Sequence, residues 1–95
     1  MTGMELNELR IRIDELDREL VKLLELRMDV AAQIADYKAR HDLPVLDTAR
    51  EAEKLAAIGT QCREDTAPML QEVFAAVMAA SRAYQTAWKE AHGYE

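Results

Sequence analysis

The chain has 95 residues, of which 49% are hydrophobic and 32% are charged, and its formal net charge is −6. This length and apolar content fit one folded domain and exclude a disordered chain, while the acidic balance argues against a nucleic-acid partner. The single cysteine, Cys62, excludes an intrachain disulfide, and with neither a signal-type N-terminus nor an apolar run of about 18 residues we expect a cytoplasmic protein.

Few glycines, prolines and β-branched residues interrupt the chain, so we predict an all-α fold without a sheet. The first predicted helix covers about residues 5 to 41 and ends ahead of Pro44. Along it runs a heptad seam of apolar residues at steps of three and four, broken only by Arg27: Leu6, Leu9, Ile13, Leu16, Leu20, Leu23, Val30, Ile34 and Tyr37.

The length of this helix has a consequence for assembly. About 35 residues of helix extend roughly 52 Å, far beyond the radius of a compact domain of this size. Only another copy of the chain would cover the heptad seam along its full length. We therefore predict a three-helix protomer in an intertwined helical homodimer.

Two further helices are predicted. The second covers about residues 48 to 58, with Asp47 as its N-cap and Gly59 as its terminal residue. The third covers about residues 66 to 91, with Pro68 in its first turn. Its apolar stripe is Leu70, Val73, Phe74, Val77, Met78, Tyr84 and Trp88.

Polar residues occur on the apolar faces of helices 1 and 3. Arg27 alone is explained by fixing the register of a helix pair or by reaching out to water, but Lys38 lies within about 20° of it on the same face. Ser81 and Gln85 follow each other by four residues along helix 3. For either of these, a satisfied buried hydrogen bond is the ordinary explanation.

The start of helix 2 adds Asp47, Arg50 and Glu51, where unpaired backbone N–H groups favour anionic or hydroxyl ligands. Capping explains Asp47 without a ligand, and surface charge explains Arg50.

Taken together, cations concentrated inside an acidic protein favour a small anion with more than one carboxylate. No nucleophile is paired with a base, because Cys62 lies in a predicted loop and His41 and His92, expected to be exposed, have no partner at a readable spacing. Metal-ligand spacing and glycine-rich phosphate loops are absent, so no metal or cofactor is predicted. Such a site suits catalysis by positioning and electrostatic stabilisation.

From about Leu6 to about Trp88 the chain resembles the all-helical, AroQ-type chorismate mutases, which are intertwined homodimers of three-helix protomers. The matching positions are Arg10, Arg27, Lys38, the segment DTARE with Asp47, Arg50 and Glu51, and then Ser81 and Gln85. The resemblance implies conversion of chorismate to prephenate, a Claisen-type sigmatropic rearrangement in phenylalanine and tyrosine biosynthesis, without a cofactor.

The resemblance also implies a role for each matching residue. Arg10 and Arg27 bind the substrate carboxylates, and Lys38 with Gln85 hydrogen-bonds the ether oxygen. The remaining contacts are Glu51 and the backbone N–H of Asp47 to the ring hydroxyl, Ser81 to a carboxylate, and Arg50 lining the site. Arg10 and Arg27 are 17 residues apart on one helix, roughly 26 Å, so one of them must come from the other chain. In this family it is the N-terminal arginine that crosses over.

Two alternatives remain. An isochorismate pyruvate lyase on the same fold shares the two arginines and the lysine, and Glu51 favours the mutase over it. A non-catalytic helical dimer that serves as an interaction or regulatory module explains the heptads, but it does not explain four inward-facing polar residues: Arg27, Lys38, Ser81 and Gln85.

Overall fold

The computed structural model describes residues 5–94 and contains three helices, α1 (Leu6–Arg40), α2 (Thr48–Thr60) and α3 (Ala67–Ala91). No strand occurs among these residues, so the predicted all-α fold with a long first helix is confirmed. None of the three helices, as far as the chain is described, is long and apolar enough to cross a membrane. The chain divides after Val30 into two compact units.

The first unit carries the N-terminal part of α1, and no residue from 5 to 30 is buried. Ten large apolar side chains between Leu6 and Val30 are 46% to 63% exposed. A surface of this kind is normally covered by a partner, since an amphipathic helix is stabilised mainly by what its apolar face packs against. The second copy that would cover the heptad seam stays a prediction.

The second unit contains the end of α1 together with α2 and α3, and α2 packs against α3. Its buried apolar residues are Ala31, Ala35, Ile58 and Met78. The buried part of α1 is therefore a pair of small residues one turn apart. Ile34 and Tyr37, two larger members of the heptad seam, are exposed in the single chain.

The apolar stripe predicted for α3 is only partly buried in the single chain. Met78 is buried, but Val73 and Tyr84 are exposed. The most deeply buried line continues from Met78 through Ser81 to Gln85, so two polar side chains occupy positions that apolar periodicity assigns to the core. Burial without apolar character at these two positions needs a specific polar environment.

The start of α2 agrees with the prediction and its end does not. Asp47 is the N-cap, and its Oδ1 accepts a hydrogen bond of 3.0 Å from the backbone N–H of Arg50. Gly59 was predicted to terminate the helix, but α2 continues to Thr60, and the φ angle of Gly59 is not positive.

Gly59 has a different role in the structure. A Cβ at this position would lie 2.5 Å from Nε2 of Gln71 on α3. That same Nε2 donates a hydrogen bond of 3.0 Å to the carbonyl oxygen of Leu55. The glycine therefore gives the Gln71 side chain room to reach the backbone of α2.

α1 ends in a left-handed turn, and Lys38 lies in the last turn of the helix before it. Asp42 has a φ of 55°, and the backbone N–H of Leu43 donates to the carbonyl oxygen of Lys38 at 2.8 Å. This is the hydrogen bond of a Schellman motif. The helix thus stops because the chain reverses at Asp42, two residues ahead of Pro44.

The two histidines are exposed, as expected, and occupy equivalent places at the ends of α1 and α3. The ring of His41 stacks on Tyr37 with 4.0 Å between centroids, and the ring of His92 stacks on Trp88 with 3.9 Å. Each Nδ1 lies 2.8 Å from the carbonyl oxygen of that aromatic residue. Both histidines are therefore accounted for by contacts that stabilise the C-terminal ends of their own helices.

Candidate active site

The side chain of Lys38 is held by the loop between α1 and α2. Its Nζ donates a hydrogen bond of 2.9 Å to the carbonyl oxygen of Val45, and the group is partly buried. An ammonium has three N–H donors, so two remain for a ligand. Val45 lies two residues ahead of Asp47, and this contact therefore ties Lys38 to the start of α2.

Beside Lys38 lies an open groove of about 400 Å³ at the C-terminal ends of α1 and α3. It is lined by Lys38, Ala39, Asp42, Leu43, Pro44, Lys89 and Tyr94. The other residues of the predicted site do not line this groove. Lys38 thus borders it while its Nζ is engaged by Val45.

Ser81 and Gln85 are both 7% exposed and form a buried pair on α3. The amide Nε2 of Gln85 donates to Oγ of Ser81 at 3.2 Å. The ordinary explanation, a satisfied buried hydrogen bond, covers only this end of the amide. Gln85 Oε1 is buried without a partner among the described residues, which costs about 1–3 kcal/mol unless a donor completes it.

Glu51 in the first turn of α2 forms an ion pair with Arg82 of α3, in which the guanidinium donates to Glu51 Oε1. The side chains of Arg82 and Glu51 are 34% and 25% exposed, respectively. Sequence reasoning did not single out Arg82. One signal was available, because Arg82 follows Ser81 directly and is the only basic residue of α3 ahead of Lys89.

The other two candidates at the start of α2 have simpler surroundings. Asp47 acts as the N-cap through its side chain, and Arg50 is exposed. The structure therefore supports the capping explanation of Asp47. Surface charge still accounts for Arg50.

Arg10 and Arg27 lie in the first unit, where Arg10 is exposed and Arg27 is half-buried. None of the ion pairs found within residues 5–94 involves either guanidinium. Both remain available to an anion. The second unit, by itself, brings together Ser81 with Gln85 and Glu51 with Arg82, and it ties Lys38 to the loop ahead of Asp47.

Comparison with known proteins places these residues in one family. The chain is 41% identical over 58 residues to the T-protein of Haemophilus influenzae and 40% identical over 53 residues to the T-protein of Enterobacter agglomerans. These regions cover 60% and 56% of this chain, but only 15% and 14% of the T-proteins.

A third relative is the 4-amino-4-deoxychorismate mutase of Streptomyces venezuelae, with 39% identity over 46 residues, 48% of this chain and 45% of that protein. No solved structure gives a significant match. Residues 9–86 match the family described as chorismate mutase type II. Because that match takes in all three helices and most of the chain, the protein belongs to the chorismate mutase type II family.

Proposed function

We propose that this protein is a chorismate mutase, an isomerase that converts chorismate to prephenate in phenylalanine and tyrosine biosynthesis. Membership of the family supports the reaction class. The observation that carries the proposal in this chain is the buried Ser81–Gln85 pair, in which the Gln85 amide uses one N–H on Ser81 and keeps the other for a ligand. A buried amide of this kind is suited to a polar ligand that arrives and leaves.

The rearrangement breaks an ether C–O bond and forms a C–C bond within one molecule, without a proton transfer. Negative charge develops on the ether oxygen in the transition state. Gln85 Nε2 carries two N–H groups, of which one goes to Ser81 and the other is available to that oxygen. The ammonium group of Lys38, which keeps two N–H groups for a ligand, supplies positive charge beside the ether oxygen. Exclusion of water strengthens this interaction, because the charge is then less screened.

The carboxylates of chorismate are assigned to Arg27 and Arg10. Chorismate is a flexible dianion, and two guanidinium groups that each grip one carboxylate hold it in the folded conformation that reacts. The O–H of Ser81 also remains free to donate to a carboxylate, because Ser81 is the acceptor in its bond with Gln85.

Arg10 belongs to the site of the partner chain in this proposal. The two arginines lie on one continuous helix and are roughly 26 Å apart along it, too far for one substrate molecule. The ten exposed apolar side chains of the first unit support a homodimer whose two sites are shared between chains.

The ring hydroxyl of chorismate is assigned to Glu51 and the backbone N–H of Asp47, and Arg50 lines the site. The Streptomyces relative is named for a substrate with an amine in place of this hydroxyl, which makes 4-amino-4-deoxychorismate a second candidate substrate. The ion pair of Glu51 with Arg82 favours the hydroxyl, because the carboxylate already has a cation beside it.

We also propose a cytoplasmic location, which fits the free thiol of Cys62. The proposed reaction uses neither a metal ion nor an organic cofactor.

The first test follows the loss of chorismate and identifies the product, with the variants Arg27→Ala and Lys38→Ala. Each variant is expected to lose on the order of 10²-fold or more in kcat/KM, because it removes a charge that acts on the reacting molecule. Circular dichroism verifies that both variants fold. The matched controls are Arg18→Ala and Lys22→Ala, which remove exposed cations from the same helix and should keep the wild-type rate.

The product separates the alternatives. Prephenate supports the mutase, whereas cleavage of isochorismate to pyruvate without any prephenate from chorismate would support the lyase. A folded wild type that leaves both compounds untouched would point to the non-catalytic module.

A further inference from the structure

The Glu51–Arg82 ion pair differs in kind from the exposed pairs of this chain. Lys22 with Glu19 and Arg40 with Asp36 join residues within one turn of α1, and in the first pair both side chains are 69% exposed. Glu51 and Arg82 are 31 residues apart and join α2 to α3, with 25% and 34% of their side chains exposed. A partly desolvated guanidinium–carboxylate bond holds its partner in a defined direction, whereas an exposed local pair contributes little.

The ion pair engages only one carboxylate oxygen of Glu51 through a hydrogen bond. Arg82 donates to Oε1, and no residue of the described chain donates a hydrogen bond to Oε2. Glu51 also lies in the first turn of α2, where the helix dipole stabilises a carboxylate. The side chain is therefore an anchored anion with one oxygen available to accept a hydrogen bond.

Such an acceptor distinguishes between two chemical groups. A neutral hydroxyl donates to Oε2 and is indifferent to the guanidinium on the other oxygen. An amine is an ammonium at neutral pH, and it would bring a second positive charge close to Arg82 in a site that is partly shielded from water. Repulsion between the two cations offsets the attraction to Glu51.

From this geometry we propose that Arg82 is a positioning residue, which orients Glu51 and makes the site select a substrate with a ring hydroxyl over one with a ring amine. This inference rests on the proposed function, in which Glu51 holds the ring hydroxyl of chorismate. Arg82 itself acts through Glu51, and neither a contact with the substrate nor a part in bond breaking is assigned to it.

The test compares kcat and KM for chorismate and for 4-amino-4-deoxychorismate in the wild type, Arg82→Gln and Arg82→Lys. In Arg82→Gln, KM for chorismate should rise about 10-fold with a smaller change in kcat, because the lost contact orients the ring hydroxyl, which neither forms nor breaks a bond in the rearrangement. The ratio of kcat/KM for chorismate to that for the amine should fall by about 10-fold or more. Arg82→Lys keeps the charge and should keep most of the ratio.

A double variant separates positioning from a structural role. If Arg82 acts through Glu51, then Arg82→Gln should barely alter the ratio once Glu51→Gln is in place. The matched control is Arg63→Gln, which breaks an exposed local pair with Asp65 and should leave kcat, KM and the ratio unchanged.

The outcomes distinguish this inference from the proposed function. A wild type that turns over chorismate while Arg82→Gln loses rate equally for both substrates shows a structural role and overturns the inference alone. An unchanged ratio with unchanged KM also overturns it. A wild type that turns over neither compound overturns the proposed function and the inference together.

Discussion

At Gln85 a buried position on α3 carries a neutral amide. The Gln85 amide donates to Ser81, and in the proposed mechanism its second N–H donates to the ether oxygen of the substrate. An amide donates at every pH, so this residue predicts a mutase with little requirement for acid near neutrality. A carboxyl group in its place would donate only when protonated.

The variant Gln85→Glu should therefore be active only in acid. As the pH rises and the new carboxyl ionises, its negative charge opposes the charge that develops on the ether oxygen, and kcat should fall by on the order of 10²-fold or more. The measurement is kcat against pH for the variant and the wild type. Gln61→Glu, at the exposed C-cap of α2, is the matched control and should follow the wild type. A flat profile for Gln85→Glu would show that Gln85 does not donate to the reacting oxygen.

Single residues also show the reach of sequence reasoning. Asp47 was predicted as an N-cap, and the hydrogen bond from the Arg50 N–H confirms it, because capping depends only on residues within one turn. Arg82 was missed, since its partner is 31 residues away and no spacing rule connects them.

At the scale of the helices, local sequence rules predict where a helix forms, whereas contacts with other helices decide details that these rules do not cover. Gly59 was predicted to terminate the helix, yet α2 continues through it, and Gln71 of α3 occupies the space that a Cβ at this position would need. Exposed apolar residues on α3, such as Val73 and Tyr84, show the same limit. Periodicity identifies an amphipathic helix, and packing decides which of its flanks is buried.

The variant Gly59→Ala tests the packing role of this glycine. In the wild-type chain, the gain of about 1 kcal/mol from better helix propensity should be offset by displacement of the Gln71 amide and loss of its bond to Leu55. In the Gln71→Ala background that obstacle is gone, and the same substitution should raise the free energy of unfolding by about 1 kcal/mol.

Urea unfolding at one fixed protein concentration measures all four chains of this cycle. Equal effects of Gly59→Ala in the two backgrounds would show that Gln71 does not constrain this position.

At the scale of the whole molecule, the first unit exposes the apolar residues that a folded protein normally covers. The proposed homodimer accounts for that surface and for the distance between Arg10 and Arg27. It also predicts that each site takes Arg10 from one chain and Lys38 from the other. That arrangement permits a test in which two inactive variants repair each other.

Mixtures of Arg10→Ala and Lys38→Ala, unfolded and refolded together, should regain about a quarter of the wild-type rate, because half of the dimers are mixed and each mixed dimer has one intact site. A refolded mixture of Lys38→Ala with Gln85→Ala is the control and should stay inactive, since both residues come from the same chain in each site. Sedimentation verifies that the species are dimers. No recovery in the first mixture would show that Arg10 does not cross to the partner.

The sequence by itself determined the all-α fold, the long first helix, the cap at Asp47 and the set of polar residues on apolar faces, because helix propensity, capping and periodicity are properties of neighbouring residues. Only the tertiary structure decided that Glu51 pairs with Arg82 and that the missing side chain of Gly59 leaves room for Gln71. It also decided that Gln85 donates to Ser81 while Gln85 Oε1 has no partner among the described residues. The first two contacts join helices far apart along the chain, and the third depends on which way a buried amide faces.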